Sequence, residues 1–410
     1  MKSNIWIINH YATAMYFDEG GRHYWFAKNL KKNGYNPVVF CSSEGHNGGK
    51  GIDLNGKLYL EKFKDGIKYV FVKTKKYNSN GSDRILNMYS FYSNLLKIYK
   101  KLENKPDVVL ASSVHPLTLL AGLKIAKKLN ISCICEVRDL WPESLVAYGA
   151  LDRENIVTKI LYAKEKYIYR KADAVIMTWK GGKQYIIDQS WDDLIDLNKV
   201  FHISNGVQLE DYYTKVSDDY YDIDLDNRKV NSFVYTGSIR KVNNIEKLVD
   251  AAKIIGNNKN IQILIYGDGD EREKLEKKIK EQNIENIKFK GRVPKKDIPS
   301  ILAKSYVNIL HNSSTSLDRY GSSQNKLFEY LASGKCILQT YSTNHNVINE
   351  GKSGITLEKQ TPEDIAEAIL YLNENAEVVS KMGINAKQSV TNFDFEVLTK
   401  QLIDVINFVK

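Results

Sequence analysis

One stretch gathers side chains suited to holding a nucleotide: Gly321-Ser-Ser-Gln-Asn-Lys-Leu-Phe-Glu-Tyr-Leu-Ala-Ser-Gly334. Polar, hydroxyl-rich residues lead into a predicted helix with Gln324, Asn325 and Lys326 in its first turn and Glu329 one turn on. A helix N-terminus attracts anions, Lys326 adds a formal charge, and a carboxylate can accept from two adjacent hydroxyls. Phosphate at the helix end and ribose at Glu329 would suit a nucleoside diphosphate, although an ordinary capped amphipathic helix carries the same residues. Gly20-Gly21, ahead of another predicted helix, would let backbone N–H groups approach a phosphate. An ordinary glycine turn reads the same way, and the missing G-x-G-x-x-G argues against dinucleotide binding. Asp222-Ile-Asp224-Leu-Asp226 and Asp268-Gly-Asp270 have a spacing that can hold a divalent cation. The first lies in an aperiodic acidic stretch and the second in a turn, where Asp and Gly are favoured for turn reasons. With no H-E-x-x-H or H-x-H among the histidines, no metal and no resident cofactor is expected.

These residues need rigid elements to position them. The chain has 410 residues, 43% hydrophobic and 26% charged, enough for two domains of ordinary soluble composition. Continuous apolar runs alternate with amphipathic helices, the pattern of parallel sheets covered on both faces. Strands are expected at residues 5–8, 37–41, 107–113, 131–137 and 172–178, and again at 232–235, 261–266, 287–290, 306–310 and 336–340. The reading is α/β, with two doubly wound, Rossmann-like domains whose ligands sit outside the carboxyl ends of the strands. Residues 1–205 form the first domain, 206–231 a linker and 232–392 the second domain. Residues 393–410 form a helix expected to pack back on the first domain.

A net charge of +10 favours an anionic partner, and without a nucleic-acid-binding signature that partner is a phosphate or an anionic membrane surface. Cys41, Cys133, Cys135 and Cys336 lie in predicted strands and read as reduced core thiols. Met1 leads directly into a strand, and no run of ~20 apolar residues occurs. The expectation is a cytoplasmic protein that meets a membrane, if at all, from its inner face.

Here the sequence resembles a known family. Asn325-Lys-Leu-Phe-Glu-Tyr-Leu-Ala-Ser-Gly-Lys335 is similar to the donor-binding helix of the retaining glycosyltransferases of family four. Further landmarks occur in the family's order: Glu19-Gly-Gly-Arg-His23, His115-Pro-Leu-Thr118, Glu136-Val-Arg-Asp-Leu-Trp-Pro-Glu143 and Ile203-Ser-Asn-Gly-Val207 in the first half. Tyr235-Thr-Gly-Ser238, Tyr266-Gly-Asp-Gly269 and Phe289-Lys-Gly-Arg292 follow in the second. Two blocks look most like a branch building surface polysaccharides (capsule or lipopolysaccharide O-antigen), which includes N-acetyl-L-fucosamine transferases.

The resemblance implies a GT-B fold with two domains facing across a cleft, a nucleotide-sugar donor on the second domain and an acceptor on the first, with retention and without metal. It implies that Glu329 takes the ribose hydroxyls and that the backbone at Arg292 and Val293 meets the base. Lys326, Arg240 or Lys241, and the Gly20-Gly21 loop would neutralise the diphosphate. Ser238, Gly267, Asn325 and Leu327 would complete the donor site. His115 and Asp139 would lie beside the transferred sugar, His115 stabilising charge. The donor would be a UDP-sugar and the acceptor a lipid-linked glycan. The family's second glutamate is replaced by Gly321, which suggests an N-acetylated or 6-deoxy donor sugar. Lys73-Thr-Lys-Lys-Tyr77 is the expected membrane contact, with Arg84 nearby. A nucleotide-sugar epimerase of the same fold and a non-catalytic sugar-binding subunit are the rival readings.

Overall fold

A computed structural model describes residues 3–77, 81–113 and 115–410. Two compact units divide the chain, residues 1–204 with 395–410, and residues 205–394.

The first unit is built on an eight-stranded sheet. Its strands are β1 (Asn4–Ile8), β2 (Asn36–Ser42), β3 (Tyr59–Lys64), β4 (Ile67–Val72), β5 (Val108–Ser112), β6 (Ser132–Val137), β7 (Ala174–Met177) and β8 (Val200–His202), in spatial order 3-4-2-1-5-6-7-8. All neighbours are parallel except β3–β4, a hairpin that was not expected from the sequence. Asp65 and Gly66 form its two-residue turn at φ +50° and +69°, the left-handed pair that joins twisted antiparallel strands. Helices Arg22–Lys32, Ser82–Ile98, Pro116–Leu129 and Ile156–Lys171 cover the sheet. The final helix, Phe395–Phe408, buries Phe395, Leu398, Leu402 and Ile406 in this unit's core, and the rings of Phe395 and Phe26 lie 5.4 Å apart.

The second unit holds β9 (Asn231–Thr236), β10 (Ile261–Tyr266), β11 (Ile287–Gly291), β12 (Val307–Leu310), β13 (Cys336–Gln339) and β14 (Gly354–Thr356), all parallel in order 11-10-9-12-13-14. Residues 206–231, expected to be a linker, belong to this unit. The acidic stretch is tied down by lysines: Lys290 reaches Asp222 (2.8 Å) and Asp224 (2.6 Å), Lys288 reaches Asp224 and Lys304 reaches Asp226. Those carboxylates are held below the usual range despite partial burial, because the ammonium groups and backbone N–H groups bond them. Sequence periodicity could not reveal this, since the partners lie more than 60 residues away.

All four cysteines are buried and free. Among the described residues no helix is long and apolar enough to cross a membrane.

Candidate functional site

In the first unit, the registers Ile8↔Ala111 and Ser112↔Glu136 bring the carboxyl ends of β1, β5 and β6 side by side. Gly21 opens the Arg22 helix at φ +98°, a left-handed conformation that favours glycine. This start turns Arg22 and His23 inward onto Glu136, which is fully buried. Arg22 Nε donates to Glu136 Oε1 (2.8 Å), His23 Nε2 to Oε2 (2.7 Å) and Ser112 Oγ to Oε2 (2.6 Å). Burial pushes the Glu136 carboxyl up, but Arg22, His23 and Arg138 outweigh it and hold it well below the usual range. Asn9 donates to His23 Nδ1 (2.7 Å), and Arg22 also bonds the carbonyls of Ile203 and Ser204. This network binds the glycine loop rigidly to the sheet. A charged residue inside an apolar strand run was its one legible signal.

His115 sits between β5 and the helix that Pro116 starts, and is almost fully buried. Its Nε2 lies 2.7 Å from Nδ1 of His10, itself buried. Burial, with Arg84 adding to it, pulls the His115 imidazole down to about 3, so it is neutral at ordinary pH. Asp139 lies at the surface of its unit, yet surrounding protein raises its carboxyl. It borders a small cavity with Ser113 and Pro116. Arg84, half-buried, donates from Nε to the Tyr11 hydroxyl (3.2 Å).

In the second unit, the helix Asn325–Ala332 begins at Gln324 without a side-chain cap, leaving the N–H groups of Asn325 and Lys326 without a partner among the described residues. Lys326 reaches back toward β9, its Nζ 3.3 Å from the Tyr235 hydroxyl and 4.4 Å from that ring's centre. It is half-buried, yet enough protein surrounds the ammonium to pull it down to about 8, with Glu329 opposing the shift. Glu329 is also half-buried. Its carboxyl is raised by burial against the pull of Lys295, Lys215 and Lys326, and it makes no hydrogen bond among the described residues. A partly desolvated cation and an unbonded carboxylate on one helix face can meet a ligand that carries both anionic and hydroxyl groups.

The loops after β9, β10 and β11 are stitched together: Gly237 N–H donates to Tyr266 O (2.9 Å) and Gly267 N–H to Gly291 O (2.8 Å). A Cβ on Gly267 would fall 1.7 Å from Gly237 O, so this glycine serves loop packing. Three positions have structural roles here. The Leu327 side chain is buried in the core and its N–H bonds Gln324 O, so it offers a ligand nothing. The Ser238 hydroxyl is taken by Asn243 (2.8 Å). Gly321 sits at φ +100°, where a glutamate would be strained, which gives the departure from the family pattern a backbone cause. Arg240 and Lys241 are exposed after β9, Asn325 is exposed in the first turn, and Val293 packs against a small cluster with Tyr266. Asp268 accepts from Gly269 N–H within its own turn. Among the described residues no cluster of three metal-ligating side chains occurs.

The sequence matches two family models, Glycosyltransferase Family 4 over residues 24–211 and Glycosyl transferases group 1 over residues 221–389. An uncharacterized glycosyltransferase of Methanocaldococcus jannaschii, MJ1069, is 25% identical over 240 residues, 58% of each chain. The chain thus spans under two thirds of the length of that relative. Sucrose-phosphate synthase from Thermosynechococcus elongatus superposes with a TM-score of 0.73 at 16% identity, covering 99% of this chain and 98% of the other. Anabaena HepE, solved with UDP and glucose, gives 0.68 at 14% identity and 99% coverage of both. With one glycosyltransferase model matching each unit, the sequence is similar to glycosyltransferases in both halves, and its two doubly wound units share the GT-B fold of those structures.

Proposed function

We propose that the protein is a retaining, metal-independent glycosyltransferase that moves a sugar from a UDP-sugar to a glycan acceptor in surface polysaccharide synthesis. The observation that carries this is the Asn325–Ala332 helix, with open N–H groups, Lys326 partly desolvated and Glu329 unbonded. The diphosphate is held by Lys326 and the helix N–H groups, and the ribose diol by Glu329. UDP in the similar HepE structure supports the choice of nucleotide. Fixed donors of this kind stabilise a leaving diphosphate without reorganisation. Front-face attack then requires no covalent intermediate: the acceptor hydroxyl gives its proton to the departing phosphate oxygen as the new glycosidic bond forms on the same face. His115, neutral, is the hydrogen-bonding partner of a sugar hydroxyl. The resemblance to N-acetyl-L-fucosamine transferases supports an N-acetylated or 6-deoxy donor sugar, while the glycine at position 321 has a backbone cause of its own. Exposed Ile85, Leu86 and Tyr89 near exposed Lys73, Lys75 and Lys76 support peripheral binding to an anionic membrane carrying a lipid-linked acceptor.

A thermal-shift screen of UDP-, GDP- and dTDP-sugars tests the reading, since a ligand at 100 times its Kd adds ~2.7 kcal/mol of stability. Lys326→Ala and Glu329→Ala should each weaken UDP binding by ~1.5–3 kcal/mol without unfolding the protein. Unchanged affinity in both variants would remove the donor site. Turnover should survive EDTA, and loss reversed by manganese would overturn the metal-free mechanism. Release of an epimerised nucleotide sugar without acceptor would favour the epimerase reading.

A further inference from the structure

The carboxyl ends of β2 and β4 carry a hollow of about 630 Å³ that none of the expected donor-site residues lines. The register Ser42↔Val72 ends both strands at one level, so the segments that follow them run side by side. Ser43 N–H donates to Val72 O (2.8 Å) and Thr74 N–H to Ser43 Oγ (3.2 Å), while the Ser42 and Thr74 hydroxyls share a hydrogen bond of 2.6 Å. Ile52 N–H returns to Ser43 O (2.8 Å) and Lys73 N–H to Leu58 O (2.9 Å), which ties residues 43–58 down at both ends. Leu54 anchors their middle in the core. Glycines let the rim close: a Cβ on Gly51 would fall 2.7 Å from Ser43 O, and one on Gly45 2.2 Å from Gly49 O. The wall of the hollow is therefore backbone held by hydrogen bonds.

Five charged side chains line it: Glu44, Asp53, Lys57, Lys73 and Lys76. No two of them form an ion pair among the described residues, unlike the lysines and aspartates around residues 222–226, which bond each other directly. Asp53 accepts from Asn55 N–H (2.8 Å) within its own turn, which leaves its second oxygen available. Three ammonium groups against two carboxylates give the hollow a positive balance at neutral pH. Separated charges of both signs around one concavity suit a ligand that has hydroxyls to donate and an oxyanion to offer, since hydrogen bonds to charged groups are the strong ones. The volume falls within the range of ~300–1,000 Å³ of small-molecule sites. No aromatic ring lines the hollow, so a nucleobase would find nothing to stack on.

We propose that this hollow binds a sugar carrying an oxyanion, a carboxylate or a phosphate, with Lys57, Lys73 and Lys76 taking the oxyanion and Glu44 and Asp53 accepting from hydroxyls. That the sugar is part of the acceptor rests on the function proposed above, whereas the binding itself rests on the first unit alone. The consequence is an enzyme selective for an acidic or phosphorylated glycan. Lys57 lies outside the loop expected at a membrane, so it separates a sugar-binding role of the basic charge from a lipid-binding one.

Titration of the full-length protein with sodium glucuronate, glucose 1-phosphate and glucose, read from amide NMR shifts at constant ionic strength, tests this. At least one anionic sugar should shift the amides of residues 43–57 and 73–76 and bind about tenfold more tightly than glucose. A response to glucuronate alone assigns a carboxylate, and a response to glucose 1-phosphate alone assigns a phosphate. No shift at these residues with either anion, or equal binding of glucose, would overturn the proposal. Lys57→Ala removes an exposed side chain, so the fold should be kept. It should weaken the anionic sugar severalfold and leave the Kd for UDP unchanged; an unaltered affinity for the anionic sugar would also count against the site. A protein that binds the anionic sugar here but not UDP would sink the proposed function and leave this site standing.

Discussion

Affinity for UDP should fall as the pH rises above neutrality, and Lys326 is the reason. Desolvation holds its ammonium at about 8 in the free protein, below its ordinary value of 10.5. A diphosphate beside Nζ favours the charged form, so the complex binds more protons than the free protein near pH 8. Between pH 7 and 8.5 the ligand's charge is nearly constant, because phosphate completes its second ionisation near pH ~6. With a pKa of about 8, the protonated fraction drops from roughly nine-tenths at pH 7 to roughly one-quarter at pH 8.5. If only the charged lysine binds, the apparent Kd rises about fourfold, or ~0.8 kcal/mol. Calorimetry with UDP at both pH values, in buffers of different ionisation enthalpy, measures the affinity and the proton uptake together. About half a proton should be taken up at pH 8. Lys326→Arg, which stays charged throughout, should bind with a flat pH profile. A wild-type Kd that does not change over this range, with no proton uptake, would refute the reasoning.

Other consequences can be measured independently. Glu165 is buried, accepts from Tyr169 (2.6 Å) and Tyr185 (2.8 Å), and is pushed up to about 8. The unfolded chain gives up this proton near 4.5, so the group's contribution to stability falls as pH rises from 4.5 to 8, by at most ~5 kcal/mol. Glu165→Gln should therefore melt closer to wild type at pH 5 than at pH 8, where it should be the more stable protein; parallel melting curves would contradict this. Glu136→Ala strands Arg22 and His23 in the core and should cost ~3–5 kcal/mol in urea denaturation, whereas a loss under 1 kcal/mol would show the network to be dispensable. Binding to anionic vesicles should weaken with salt and in the Lys73, Lys75 and Lys76 triple serine variant, since exposed charges are screened beyond ~10 Å at 0.1 M. Equal co-sedimentation of the variant and wild type would assign the basic charge elsewhere. Residues 78–80 of that loop lie outside the described residues.

Local pattern alone determined much of this protein. Apolar runs such as Val108–Ser112 and Ile261–Tyr266 must be strands buried on both faces, and their alternation with amphipathic helices leaves a doubly wound sheet as the natural outcome. Lys326 and Glu329 were legible because three residues along a helix place both on one side, whatever the rest of the chain does. The Asp65-Gly66 hairpin was equally legible, from its turn residues and the apolar strand Ile67–Val72, but its partner Tyr59–Lys64 is a polar edge strand without an apolar run. Tertiary structure alone decided what depends on distant partners. The acidic stretch at 222–226 becomes part of a domain only when Lys288, Lys290 and Lys304 neutralise it. Leu327 and Ser238 sit in the right motifs, but core packing and Asn243 claim their side chains. His115 is separated from His10 by 105 residues. Burial beside His10, set by strand order and invisible to any local window, makes it neutral.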